Sequence, residues 1–151
     1  MHKLDAFIAD AVAKLPPDII GRVVIFGSAP LAMEDVGIRE DIKDLDLFVS
    51  DETFDEFVRR GFRSRVKLKD RATGEEVFHI VVAGEDADPE IEVLKTFQGV
   101  AFADVYQRSV QHPSGLRVGA VTDVRAWKVA SGRQKDLDDV AAIDRFLSPR
   151  G

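Results

Sequence analysis

The chain has 151 residues, 45% hydrophobic and 32% charged, with a formal net charge of −6 and no cysteine. That length and balance suit one globular domain with a normal core. The missing cysteines exclude disulfides and thiolate metal sites, and the acidic balance argues against a general affinity for nucleic acid, which normally needs basic stripes to neutralise phosphates.

Leu4, Ile8, Val12 and Leu15 recur at helical spacing and predict a first helix, not a signal peptide, stopped by Pro16-Pro17. Arg22 to Phe26 reads as a buried strand ended by Gly27-Ser28. Ser28 is the expected N-cap of a short helix over 29–36, with Pro30 in its first turn. Asp44 to Ser50 predicts a second strand, followed by a helix near 52–60 that ends at Gly61. Phe62 to Lys69 and Glu76 to Ala83 read as two strands turning at Thr73-Gly74. Arg59 to Arg71 carries seven of the twenty-one basic residues and is read as a solvated helix end and hairpin.

Further strands are expected over Glu90 to Phe97 and Leu116 to Val121. Thr122 is the expected cap of a helix carrying Val124, Trp127 and Lys128 and broken at Ser131-Gly132. The last helix, Lys135 to Leu147, shows Leu137, Val140, Ala141 and Leu147 on one side. Four or five helices around a mixed sheet of five or six strands make an α/β (α+β) fold, with residues 1–151 as a single domain. No stretch approaches the ~20 apolar residues of a membrane span. No membrane partner is expected, and a cytoplasmic location fits the lack of cysteine.

In a strand, residues two apart share a face at roughly 6.5–7 Å between α-carbons. Leu45, Leu47 and Val49 therefore form one apolar face, and Asp44, Asp46 and Phe48 the other. Two carboxylates on one face suit Mg²⁺, which takes one or two acids plus substrate phosphates. The competing reading is an edge strand carrying charge against aggregation. Glu90-Ile91-Glu92-Val93-Leu94 repeats the arrangement, so Glu92 is a candidate third acid, able to hold metal or take a proton from an attacking hydroxyl. Glu90 is an equal candidate for that place. Gly27-Ser28, a strand end opening a helix, offers N–H groups and a hydroxyl to a phosphate. His2, His79 and His112 have no metal-ligand spacing, and His79, inside FHIVVA, is read as a satisfied core residue.

The order Phe26-Gly27-Ser28, Asp44-Leu45-Asp46-Leu47, Ile91-Glu92-Val93 resembles the DNA polymerase beta-like nucleotidyltransferase superfamily. "WKVASGRQKDLDDVAAIDRFL" looks like the Lys…RxKDxxD signature of its abortive-infection (AbiEii-like) toxin branch, here Lys128, Arg133-Gln134-Lys135-Asp136 and Asp139. Arg39 matches an arginine that precedes the acid pair in that branch. The resemblance spans residues 23 to 147, and the fifteen residues between Ser28 and Asp44 separate the chain from compact antitoxin and aminoglycoside-modifying relatives.

The resemblance implies a nucleotidyltransferase fold and a Mg²⁺- (or Mn²⁺-) dependent transfer of a nucleoside monophosphate from an NTP to an acceptor hydroxyl on RNA, protein or a small molecule. Asp44, Asp46 and Glu92 would be the metal-holding and catalytic acids. Lys128 would act in catalysis on the departing pyrophosphate, and Gly27, Ser28, Arg39, Lys128, Arg133, Asp136 and Asp139 would bind nucleotide. A toxin–antitoxin or phage-defence setting with a cognate protein partner is implied too. The rival expectation is a catalytically silent module of the same fold that binds nucleotide or a protein partner.

Overall fold

The computed structural model describes residues 3–37 and 42–148. Arg39 lies outside the described residues. The first helix, α1 (Lys3–Lys14), ends before Pro16-Pro17 as its spacing predicts, and Leu4, Ile8 and Ala11 of its apolar stripe are buried. A single 3-10 turn, Ile20–Arg22, follows and takes Arg22 out of the predicted strand. Strand β1 (Val24–Phe26) is wholly buried and runs into α2 (Ala29–Met33).

Strand β2 (Leu45–Phe48) leads into α3 (Asp51–Arg59), whose N-cap Ser50 accepts a hydrogen bond from the Thr53 amide. Strands β3 (Ser64–Lys69), β4 (Glu76–Glu85) and β5 (Asp88–Leu94) form a meander. Then come α4 (Phe102–Arg108), the short strands β6 (Val110–Gln111) and β7 (Arg117–Val118), and helices α5 (Val121–Ser131) and α6 (Gln134–Leu147). Gly132 closes α5 at φ 69°, the left-handed cap that glycine supplies without a Cβ clash.

Seven strands among the described residues make one mixed sheet in the order β3-β4-β5-β2-β1-β7-β6. The α/β class holds, and the strand count corrects the expected five or six. Six α-helices are described, where four or five are predicted. The excess comes from α4 and β6, in the 98–115 region to which no element is assigned from sequence and where Phe102, Val105 and Tyr106 have helical spacing. Val105 is buried, and Phe102 and Tyr106 are half-buried.

One face of the sheet carries Ile25, Leu45, Leu47, Ile80, Ile91 and Val93 against α1 and α3. The other carries Val24, Phe26, Phe48 and Leu94 against Val105 of α4, Val124 of α5 and Ile143 of α6. Behind this second face the rings of Phe26 and Phe97 meet edge-on at 4.8 Å, and Phe97 meets Trp127 in the same way at 5.2 Å. Such pairs add about 0.5–1.5 kcal/mol each beyond burial. They pack α5 through Trp127 against the sheet, next to Lys128.

Two sequence expectations fail here for stated reasons. Thr122 lies inside α5, whose N-cap is Ala120. Leu137 and Leu147 are among the exposed large hydrophobics, while Asp136, Ala142 and Ile143 of α6 are buried. Asp136, Asp139, Val140 and Ile143 follow i, i+3, i+4, i+7 spacing, so the inward stripe of α6 begins with two acids.

Candidate functional site

Strand β2 lies between β1, to which it is antiparallel, and β5, to which it is parallel. Its interior place rules out the reading of Asp46 as an edge-strand charge. The register sets Asp46 opposite Phe26 on one side and opposite Glu92 on the other. Leu45, Leu47, Ile91 and Val93 point into the core of the α1/α3 face, so Asp46 and Glu92 are driven to the same opposite face. Glu92 is 0% exposed, while Glu90 is exposed and does not share its surroundings.

Asp44 precedes β2 and is exposed, in place of the strand position its sequence suggests. Its carboxyl is nevertheless held above the ordinary range, by partial desolvation first and by the charge of Glu92 second. Lys67 and Lys135 oppose that shift. Burial, then repulsion from Glu92, pushes Asp46 from 3.8 up to about 7. Asp46 Oδ1 and Glu92 Oε2 are both buried without a hydrogen-bond partner. Orphaned buried carboxylate oxygens are costly and rare, and each calls for a partner such as an ion or a water.

The donor set is all oxygen, which fits Mg²⁺ or Mn²⁺. Among the described residues no three His, Asp or Glu side chains form a ready cage for a metal. Two inward carboxylates with Asp44 at the rim are the number that a Mg²⁺ site completes with water and substrate phosphates.

Gly27 adopts φ 67°, and a Cβ there would strike Asp46 Oδ2. The position needs glycine on both counts. Ser28 occupies the N-cap position of α2, but its side chain caps nothing. Its Oγ instead accepts a hydrogen bond from Lys128 Nζ at 2.8 Å. Because α2 has only five residues, the anion-binding capacity of this corner rests on the hydroxyl and the ammonium more than on a helix dipole.

Lys128 is 2% exposed and is the most buried cation among the described residues. Its Nζ also donates to Asp139 Oδ2 at 2.8 Å and lies 3.6 Å from Asp136 Oδ1. Asp136 is 0% exposed and accepts from Arg133 Nε at 2.7 Å and from Ser131 Oγ at 2.8 Å. Burial opposes its charge, yet those hydrogen bonds hold its carboxyl below the usual range. Lys128, Arg133, Asp136 and Asp139 thus form one network ending on Ser28.

Two contacts have no counterpart in the sequence reading. Lys67 of β3, inside the basic run read as solvated, is ion-paired through Nζ with Glu92 Oε1. His79 is buried as expected but not satisfied: its Nδ1 has no hydrogen-bond partner and lies 3.7 Å from the same Glu92 oxygen. Period-two alternation in β3, β4 and β5 shows which residues share a face. It cannot reveal the pairing register that brings Lys67 across β4 to Glu92 on β5.

No family model matches the chain, and no curated protein matches it. The solved structures do include similar folds. The chain is similar to the Megavirus polyadenylate synthase, with a TM-score of 0.51 and 13% identity over 93% of this chain and 30% of that one. It is also similar to JHP933 from Helicobacter pylori, with a TM-score of 0.47 and 12% identity over 96% of this chain and 65% of that one. The chain therefore spans less than a third of the first protein and about two-thirds of the second. At such identity the likeness to the polyadenylate synthase shows a shared fold and nothing more. Among the described residues no helix is long and apolar enough to cross a membrane.

Proposed function

We propose that this protein is a Mg²⁺- or Mn²⁺-dependent nucleotidyltransferase that moves a nucleoside monophosphate from an NTP to an acceptor hydroxyl. The observation that supports this most is the register pairing of Asp46 with Glu92 beside Ser28 and the buried Lys128. Asp46 and Glu92, with Asp44 at the rim, would hold the metal. When bound, the metal supplies positive charge against the triphosphate and lowers the barrier to in-line displacement.

The chain's own residues then have distinct tasks. Ser28 Oγ and Lys128 Nζ bind the β- and γ-phosphates and fix the α-phosphorus over the acid pair. Glu92 accepts the proton of the acceptor hydroxyl as its oxygen bonds to the α-phosphorus. The bond from that phosphorus to the β-phosphate oxygen breaks, and pyrophosphate leaves against Lys128. Asp136 and Asp139 keep Lys128 aimed at Ser28, and Arg133 buttresses Asp136. The Lys128, Arg133, Asp136, Asp139 network also supports a reading within the toxin branch, with RNA, protein or a small molecule as acceptor and a cognate protein as partner. The test is to incubate the protein with each labelled NTP, Mg²⁺ and total RNA or lysate. Transfer above the level of an Asp44→Ala, Asp46→Ala variant is the expected result, and equal transfer refutes the enzyme.

A second reading is favoured by the ion pair that already occupies Glu92. In it the fold binds nucleotide or a protein partner without turnover. Calorimetry with ATP and Mg²⁺ separates the two, since binding without pyrophosphate release supports the silent module.

A further inference from the structure

Lys67 departs from its strand's pattern. Strand β3 is an edge of the sheet, and its pairing with β4 shifts register between Val66 and Leu68. A bulge leaves its extra residue out of the ladder and re-aims the side chain. Here that residue is Lys67, and the side chain reaches past β4 to Glu92 on β5. One partner is wholly buried, whereas the Lys67 side chain is 32% exposed. The ammonium therefore sits between solvent and the most buried acid of the site, on a residue with no ladder position to defend.

From this we infer that Lys67 is a resident counter-cation that holds Glu92 until a divalent cation displaces it, so that metal binding is an exchange of one cation for another. The inference rests on the metal-site reading given above. Glu92 has two carboxylate oxygens: Oε1 is taken by Lys67 and Oε2 is buried without a partner, in register with Asp46, whose Oδ1 is equally orphaned. An acid pair at this depth is poorly tolerated without positive charge. Lys67 supplies that charge, and the same charge repels an incoming metal at short range. Its long stem and partial exposure let the ammonium swing outward without breaking any strand pairing. Lys67 is thus a positioning residue that sets how much divalent cation the site requires.

Two measurements test this. Calorimetric titration of Mn²⁺ is run on the wild type, Lys67→Met and Lys67→Arg, with circular dichroism to establish that each is folded. Lys67→Met keeps the stem and removes the charge, so Mn²⁺ should bind about tenfold tighter, whereas Lys67→Arg should stay within about twofold of the wild type. In the wild type, acetic anhydride labelling read by mass spectrometry should modify Lys67 faster once Mn²⁺ is saturating. If the wild type binds Mn²⁺ and Lys67→Met binds no tighter, the exchange is wrong while the metal site stands. Labelling of Lys67 that ignores bound Mn²⁺ also overturns the exchange alone. If folded wild type and folded Lys67→Met both fail to bind Mn²⁺, the metal-site reading falls and the exchange falls with it.

Discussion

Replacing Asp46 with asparagine should stabilise the protein in the absence of divalent cations, and by more at high pH than at low. The Asp46 carboxyl rises from 3.8 to about 7 on folding. A carboxyl raised in this way favours the fold while it is protonated; the folded state binds more protons than the unfolded one between those two values. The contribution of this one group is therefore most favourable below about pH 4, falls as the pH climbs, and has lost its full share above about pH 7. The full shift corresponds to about 4 kcal/mol. Part of the Asp46 residue reaches solvent, so about half of that, about 2 kcal/mol, is the working figure at pH 8, and about 1 kcal/mol at pH 5. For a chain of this length those gains raise Tm by about 4–8 °C and about 2–4 °C. Thermal unfolding of wild type and Asp46→Asn in chelator, at pH 5 and pH 8, measures both. An advantage that does not grow between the two pH values would refute the claim that charge burial destabilises this strand.

Two other substitutions probe the remaining parts of the site. Lys128→Ala should cost about 3–5 kcal/mol in urea unfolding, because it strands the buried Asp136 and its neighbour Asp139 without their shared cation; a loss below about 1 kcal/mol would show that the network is not held by Lys128. Gly27→Ala should cost about 1–3 kcal/mol, since it meets both an unfavourable φ and the Asp46 carboxylate. The Gly27→Ala, Asp46→Gly double variant should recover part of that loss, and a purely additive result would place the strain in the backbone alone.

The shared face of Asp46 and Glu92 is legible because each sits in a strong period-two pattern. Leu45 and Leu47 around Asp46, and Ile91 and Val93 around Glu92, leave each acid only the opposite face. Lys128 was legible through its place beside an apolar helical stripe. What escaped is what depends on register or on polar residues in buried positions. The Lys67 contact needs two strand pairings and a bulge, none written in local sequence. The stripe of α6 was misassigned to Leu137 and Leu147 because hydrophobicity was taken as the mark of burial, whereas Asp136 is buried by its hydrogen bonds. Ser28 carries an N-cap signature and spends its hydroxyl on Lys128 instead, a choice made by a residue 100 positions away. The expectation at Arg39 falls outside the described residues.

That separation also bears on how the molecule is made. Chains emerge from synthesis in order, and contacts between distant segments close slowly because loop entropy must first be overcome. Asp46 cannot face Glu92 until the whole β3-β4-β5 meander has formed and docked in parallel beside β2. Ser28 cannot meet Lys128 until α5 has followed. Each of these residues waits for a partner made later in the chain. A growing chain therefore cannot assemble the candidate site early, and the Ser28–Lys128 contact forms only once α5 has been added to the sheet.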